Sequence, residues 1–143
     1  MPSPSVDSTV RRTARCACGA VHVVARGEPS AVVACHCVEC QLRTGSPFGV
    51  GAYYAQADVE IQGATHEYSR GTDSGASFVQ HFCPTCGSTV FWYAALRPGF
   101  VGVAVGAFGD PRFPAPIRSV WEQSMHEWVH VDVAQQHFPK ART

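Results

Sequence analysis

Cysteine is the residue type in this 143-residue chain that most directly suggests chemistry, and the chain has seven. They form three clusters: Cys16-Ala-Cys18-Gly19, Cys35-His36-Cys37-Val38-Glu39-Cys40 and Cys83-Pro84-Thr85-Cys86-Gly87. Thiolate-rich sites favour zinc, copper(I) or iron–sulfur clusters. An odd number of cysteines does not suit a closed set of disulfides, so metal binding is the better interpretation. A four-thiolate set with no other cofactor signature favours zinc.

The spacing within each cluster explains how its sulfurs could meet one metal. The Cys83-x-x-Cys86 turn brings both sulfurs to one side, and Gly87 can adopt the positive φ that such a turn requires. In a strand, residues i and i+2 point to the same face, so Cys16 and Cys18 can chelate together. The same holds for Cys35 and Cys37, while His36 points the other way and Cys40 can return after a turn.

The number of ligands divides the clusters between two sites. A closed structural zinc site takes four ligands, whereas a catalytic zinc site keeps one position open. If each cluster stays intact, the two pairs give a four-thiolate structural site, and the triple cluster is left as a three-thiolate site with a vacancy. We therefore predict one structural zinc at Cys16, Cys18, Cys83 and Cys86, and a second, more labile zinc at Cys35, Cys37 and Cys40.

Other interpretations of the cysteines stay open from the sequence alone. Cys83 and Cys86 could be a redox pair, although no βαβ pattern surrounds them. The cysteines could also be buried without a ligand. A histidine could complete the triple cluster, and this would close the site and favour a scaffold over an enzyme. The candidates by residue type are His22, His66, His81, His126 and His130.

Length and composition limit the class of protein. A chain of 143 residues suggests one domain, and 45% apolar with 15% charged residues indicates a globular one. The formal net charge is zero, so no basic field suggests nucleic acid. No run approaches the roughly 18 apolar residues of a membrane span. The N-terminus lacks the apolar segment of a secretory signal, so we expect a cytoplasmic protein with reduced thiols.

Short apolar runs broken by glycine, proline and aspartate predict a mostly β protein with many short strands. The best helical segment is a turn or two over residues 39–43. We expect a flexible N-terminal tail over 1–12, a single zinc-binding domain over 13–139 and a C-terminal tail over 140–143. The predicted strands cover residues 20–25, 31–36, 48–55, 59–61, 66–69, 77–82, 89–93 and 100–108.

Three segments, "CACGAV", "CHCVECQLRTGSPF" and "YSRGTDSGASFVQHFCPTCGSTVFW", together resemble the glutathione-dependent formaldehyde-activating enzyme family, also called centromere protein V-like. The resemblance runs over roughly residues 13–139 and implies a small multi-sheet β-tent fold. It implies structural zinc at the two cysteine pairs, and active-site zinc at Cys35, Cys37 and Cys40. It also implies the joining of glutathione to formaldehyde as S-hydroxymethylglutathione, a carbon–sulfur lyase activity in reverse.

Our leading functional hypothesis is a zinc-dependent carbon–sulfur lyase or synthase acting on a thiol adduct. A small thiol such as glutathione would enter the vacant position as a thiolate and attack a carbonyl compound. Arg43, Arg70 or Arg97 could meet substrate carboxylates, and Glu39 could move protons. The aromatic residues that could line a pocket or fill the core are Tyr53, Tyr54, Phe91, Trp92, Trp121 and Trp128.

Two functions of other classes remain as alternatives. One is a non-catalytic zinc-stabilised scaffold that binds a protein partner, because fold does not fix function. The other is a thiol-based zinc or redox sensor, in which the triple cluster oxidises and releases its metal.

Overall fold

The structure is a computed structural model of the protein, and it describes residues 10–72 and 75–142. The first nine residues of the predicted N-terminal tail lie outside this part of the chain. Within it, eleven strands and one α-helix confirm the mostly β prediction. The elements are β1 (Arg11–Arg15), β2 (His22–Arg26), β3 (Ala31–Cys35), α1 (Val38–Thr44), β4 (Gly49–Ala55), β5 (Val59–Gln62), β6 (His66–Gly71), β7 (Ser77–Phe82), β8 (Thr89–Ala94), β9 (Phe100–Ala104), β10 (Arg118–Val120) and β11 (Gln136–His137).

The strands form two sheets. A three-stranded antiparallel sheet has the order β1-β2-β5, and an eight-stranded sheet has the order β11-β10-β3-β4-β9-β8-β7-β6. Strand β10 runs parallel to both of its neighbours, whereas the other pairs are antiparallel. The small sheet packs on the large one, because the buried cluster draws residues from both, including Val23 of β2 and Tyr54 of β4.

One face of the large sheet packs into the core, and the other lines a cleft. Side chains alternate between faces along a strand, so Val32 on β3 and Ala52 on β4 point into the core against the small sheet. Their neighbours Val33, Cys35 and Tyr53 point to the opposite face, where they line a cleft. One sheet therefore supplies both the core and the floor of the candidate site.

All eight predicted strand runs coincide with strands β2 to β9, and the predicted helical turn is α1. The run over 100–108 was predicted too long, because β9 ends at Ala104 and a 3₁₀ turn follows over Val105–Phe108. Three further strands were not predicted. Strand β1 (RRTAR) is polar in sequence, and β10 and β11 have three and two residues, too few to show a period.

Glycines on the cleft face let Trp92 lie flat against the sheet. Trp92 on β8 pairs with Gly102 on β9, and a Cβ at Gly102 would come within 2.6 Å of the indole Cε2. A Cβ at Gly51 would come within 2.5 Å of the same ring. The ring is held from above by Phe78, with centroids 5.9 Å apart, and by the Arg43 guanidinium, 4.4 Å from the ring centroid.

The fit of Trp92 on Gly102 predicts a measurable cost of substitution. Gly102→Ala should destabilise the protein by about 1–3 kcal/mol, because the new methyl group must displace a buried indole. Gly106→Ala is the control, since nothing lies within 4 Å of its Cβ position and its change should stay within about 0.5 kcal/mol. Urea unfolding of both variants measures the difference. Equal stability of the two would show that the glycine is not required for packing.

The C-terminal segment runs back along β10 and the turn after it. The backbone N–H groups of Trp121 and Glu122 donate to the carbonyls of Lys140 and Phe138. The His137 imidazole lies 2.7 Å from the Glu122 carboxylate through Nδ1. Lys140, placed by the sequence in a C-terminal tail, thus contacts the body of the protein through its carbonyl. The domain boundaries themselves stay a prediction.

The pair of His137 and Glu122 predicts a pH dependence. The hydrogen bond to Glu122 raises the pKa of His137 above its usual value, with burial opposing it. The pair's stabilisation is therefore fully present below the unfolded histidine pKa of about 6.5, and it is lost as pH rises through the folded pKa. Glu122→Gln should lower the His137 pKa in an NMR titration, whereas Glu127→Gln should leave it unchanged. An equal His137 pKa in the Glu122→Gln and Glu127→Gln variants would rule out the pairing of His137 with Glu122.

Candidate metal centres and active-site cleft

The four paired cysteines meet although they are far apart in sequence. Cys16 and Cys18 lie on the β1–β2 turn, Cys83 and Cys86 on the β7–β8 turn, and all four sulfurs lie within 4.8 Å of one another. The Cys16–Cys18 and Cys18–Cys83 sulfur distances are both 3.7 Å. A tetrahedron with Zn–S bonds of about 2.3 Å needs sulfur–sulfur distances of about 3.8 Å. The donor set and its spacing therefore fit zinc.

The backbone around these sulfurs is arranged to support thiolates. The N–H groups of Val21 and Thr85 lie 3.2 and 3.3 Å from the sulfurs of Cys16 and Cys83. Gly87 has a φ of 81°, as the sequence predicted for this turn. Such N–H···S contacts orient metal-binding thiolates and offset their charge.

Ser88 joins the two turns. Its hydroxyl accepts a hydrogen bond from the Ala17 N–H at 3.1 Å and lies 3.4 Å from the Cys86 sulfur. Hydrogen bonding to Ser88 is the main cause that lowers the pKa of Cys86 to about 5. This exposed sulfur is thus favoured as a thiolate, the form that binds zinc.

The two cysteine clusters should differ in what they contribute to stability. A metal at the four-cysteine cluster would cross-link turns whose cysteines are 65 residues apart, whereas the triple cluster lies within one short segment. Closing a long loop restricts the unfolded chain far more. Cys83→Ser should therefore lower the free energy of unfolding by more than about 4 kcal/mol, the range typical of losing a structural metal.

Cys40→Ser is the matched variant, because Cys40 and Cys83 are both buried, at 8% and 0% exposure. It should lose zinc from the other cluster while unfolding at a denaturant concentration closer to wild type. Urea unfolding and zinc analysis by mass spectrometry measure both effects. Equal destabilisation by the two substitutions would contradict a division into structural and non-structural sites.

The triple cluster is formed where β3 passes into α1. Cys35 ends β3, Cys37 is the N-cap of α1, and Cys40 lies in its first turn, with the three sulfurs within 4.8 Å of one another. The Cys40 N–H donates to the Cys37 sulfur at 3.3 Å. His36 points away, as predicted, and its Nε2 lies 2.9 Å from the buried Ser119 hydroxyl. This buried contact fixes the segment between the ligands.

The electrostatics of the triple cluster favour one thiolate shared among three sulfurs. Hydrogen bonds from Cys35 and Cys40, helped by the nearby Arg70, hold the pKa of Cys37 far below its usual range. The same sharing, together with burial, raises the pKa of Cys35. A divalent cation would replace the shared protons, which couples metal binding to proton release.

No histidine joins the triple cluster in residues 10–72 and 75–142. His81 is hydrogen-bonded to Thr65 and stacks on Phe91, at a centroid distance of 4.5 Å. His126 lies 3.1 Å from the Gln41 side chain, and His66 packs against Phe82. His22 lies in β2 of the small sheet, and His130 is exposed. Within the described chain, the cluster therefore keeps three protein ligands.

The triple cluster lies in the wall of a cleft of about 730 Å³ on the free face of the large sheet. Of the residues that the structure describes, five arginines line this cleft, and Glu39 is the one acidic residue with them. The sequence analysis proposed three arginines as partners of substrate carboxylates, and all three line the cleft: Arg43, Arg70 and Arg97. Arg118 and Arg142 were missed, since nothing in the sequence pattern marked either. Glu39 pairs with Arg70 at 3.8 Å.

The aromatic candidates separate into three groups. Tyr53, Trp92 and Trp121 line the cleft. Tyr54 and Phe91 are buried in the core, at 2% and 3% exposure. Trp128 is 70% exposed and belongs neither to the cleft lining nor to the core.

A small, mostly β domain with two cysteine clusters that could each hold zinc is the class of protein that this fold and site define. The chain belongs to the glutathione-dependent formaldehyde-activating enzyme family, since it matches that family's model over residues 11–124, more than half its length. No curated protein matches the sequence significantly.

A solved structure supports the fold alone. It is the crystal structure of a Rhodobacter sphaeroides protein from a structural genomics programme, 21% identical, with a TM-score of 0.52. The match covers 88% of this chain and 98% of that one. Within the described residues, no helix has the length and apolar character needed to span a membrane.

Proposed function

We propose that the protein is a zinc-dependent carbon–sulfur lyase or synthase that joins a small thiol to a carbonyl compound and catalyses the reverse cleavage. Membership of a family named for glutathione and formaldehyde supports this class of reaction. The observation that carries the proposal is the triple cluster, whose three sulfurs face a cleft with no further protein ligand in the described residues. Three ligands and an open position are typical of catalytic zinc.

Cys35, Cys37 and Cys40 would hold the zinc of this site. When bound, zinc supplies a soft Lewis acid that favours the thiolate form of a sulfur compound beside it. The cluster opens into the cleft, whose floor is the sheet and whose wall is α1, so a bound thiol is held against one surface. Fixing its orientation would supply part of the rate enhancement.

Two arginines lie beside the sulfurs and offset their negative charge. Arg70 acts on Cys37 and Arg43 on Cys40, in each case favouring the thiolate. Arg43 stacks on Trp92 and Arg70 on Phe78, with guanidinium carbons 4.4 and 4.3 Å from the ring centroids. Stacking fixes both charges in the cleft wall, so they are preorganised for an anionic sulfur.

Tyr53 is positioned to donate a proton to the carbonyl oxygen of the substrate. Its hydroxyl accepts a hydrogen bond from the Trp92 Nε1 at 3.2 Å, which leaves its own O–H free to donate into the cleft. Burial raises the pKa of Tyr53, so it stays protonated at neutral pH. The thiol releases its proton to solvent as it binds, the thiolate attacks the carbonyl carbon, and the C=O electron pair moves to oxygen. The oxygen takes a proton from Tyr53, which regains one from solvent. The reverse reaction returns that proton as the C–S bond breaks.

One observation favours the proposal over a non-catalytic scaffold. A scaffold would need no vacancy at the triple cluster, and none of the five histidines considered fills it in the described chain. A reducing compartment such as the cytoplasm is the location we propose, because the ligand role requires all seven cysteines to remain free thiols.

The test follows exchange between glutathione and formaldehyde by NMR, with zinc-loaded protein. Cys37→Ser should abolish acceleration over the uncatalysed exchange. Tyr53→Phe should slow exchange by about 10- to 100-fold, because it removes the proton donor while the ring remains. Arg112→Gln is the control for the loss of a surface group, since the Arg112 side chain is 91% exposed and lies outside the cleft.

Folded, zinc-loaded wild-type protein that gives no acceleration with glutathione would contradict the formaldehyde reaction. The same result with other thiols and aldehydes would contradict the proposed class of reaction. Acceleration that survives Cys37→Ser would place the chemistry elsewhere.

A further inference from the structure

Positive charge is concentrated in the cleft of a chain whose formal net charge is zero. The sequence has eleven basic and eleven acidic residues, yet the described residues that line this cleft include five arginines and one glutamate. Arg43 and Arg70 lie beside the cysteine sulfurs, and Glu39 pairs with Arg70. Among the described lining residues, the other three arginines therefore have no carboxylate to offset them.

Arg118 is at the centre of this second group. It lies on β10 opposite Val33, and Val120, two residues on, lies opposite Cys35. Side chains two residues apart in a strand point to the same face and lie about 6.6 Å apart. Arg118 is therefore on the same cleft face as Cys35, displaced by about that distance along the strand direction. Its Nε donates to the Gln136 side chain at 3.0 Å, while its Nη1 is buried with no hydrogen-bond partner among the residues that the structure describes.

Arg97 and Arg142 complete the group. Burial lowers the pKa of Arg118, and the positive charges of Arg142 and Arg97 add to this effect, so all three lie within electrostatic range. Arg97 also stacks on Tyr53, with the guanidinium carbon 5.3 Å from the ring centroid. We call Arg97, Arg118 and Arg142 the arginine cluster.

The arginine cluster is unfavourable without an anion. A guanidinium cannot relieve repulsion by losing its proton. A buried N–H donor without a partner loses its hydrogen bonds to water, and the cost is larger when the donor is charged. An anionic ligand would offset both costs at once, by neutralising the charge and accepting the free hydrogen bond of Arg118.

We propose that the arginine cluster binds a phosphate group, and that the thiol substrate of this cleft is a phosphate-bearing thiol. The second half of this proposal rests on the function proposed above. A dianionic phosphate offers three terminal oxygens and matches the forked geometry of several guanidinium groups. The cleft, at about 730 Å³, is large enough for a ligand that reaches from the cysteine sulfurs to the arginine cluster.

The test compares two thiols that differ only in a phosphate, 4′-phosphopantetheine and pantetheine, by calorimetry with zinc-loaded protein. Phosphopantetheine should bind about tenfold more tightly, because charged hydrogen bonds contribute at least that factor. Arg118→Gln and Arg97→Gln should each remove most of this preference. Arg97 lies on a loop, so its variant remains informative if Arg118→Gln fails to fold. Arg112→Gln should keep the preference.

Equal binding of the two thiols, or a preference that survives in both Arg97→Gln and Arg118→Gln, would overturn the proposal. Tighter binding of glutathione than of phosphopantetheine would also overturn it.

Inorganic phosphate separates this proposal from the proposed function. It should bind Cys37→Ser protein as well as wild type, because the arginine cluster does not include the sulfurs. Phosphate binding without thiol–carbonyl exchange would overturn the proposed reaction and support the anion site. Exchange activity without phosphate binding would overturn the anion site alone.

Discussion

The meeting of four cysteine sulfurs from two distant turns is the constraint on which the rest of the structure depends. The β1–β2 turn belongs to the small sheet and the β7–β8 turn to the large one, so the cluster joins the two sheets at one end. Two of the four sulfurs are buried, at Cys16 and Cys83, and both belong to the apolar core. The candidate metal site is therefore built into the core, and not added beside it.

Joining the sheets on one face of the large sheet leaves its other face free. A solvated sheet face is ordinarily polar, but here small residues at Gly51 and Gly102 let Trp92 lie flat on it, and Arg43 covers the ring. The result is a cleft with an aromatic floor and positively charged walls. The triple cysteine cluster opens onto this face because Cys35 alternates with the core residue Ala34 along β3.

The charges in the cleft follow a spatial order that matches the chemistry proposed for it. Arg43 and Arg70 act on the cysteine sulfurs, where a thiolate would be stabilised. Tyr53 lies between the two groups of arginines. Arg97 stacks on its ring. Its hydroxyl accepts a hydrogen bond from Trp92, and Arg43 stacks on that indole. A cleft arranged in this way can hold an anionic sulfur at one end and a second anion at the other, with a proton donor between them.

The sequence by itself determined the β class, eight strands, the helix and the division of the cysteines into clusters of four and three. These depend on local spacing: period-two alternation, Cys-x-x-Cys turns and the offset of Cys35 and Cys37. Only the tertiary structure decided that no histidine of the described chain closes the triple cluster, and that Arg118 and Arg142 join the cleft. Strand β10 is too short to show a period, and Arg118 reaches the cleft because β10 pairs in parallel with β3, some 85 residues earlier in the chain. Long-range pairing of this kind leaves no local pattern, whereas metal ligands must be spaced along the chain and so can be recognised from it.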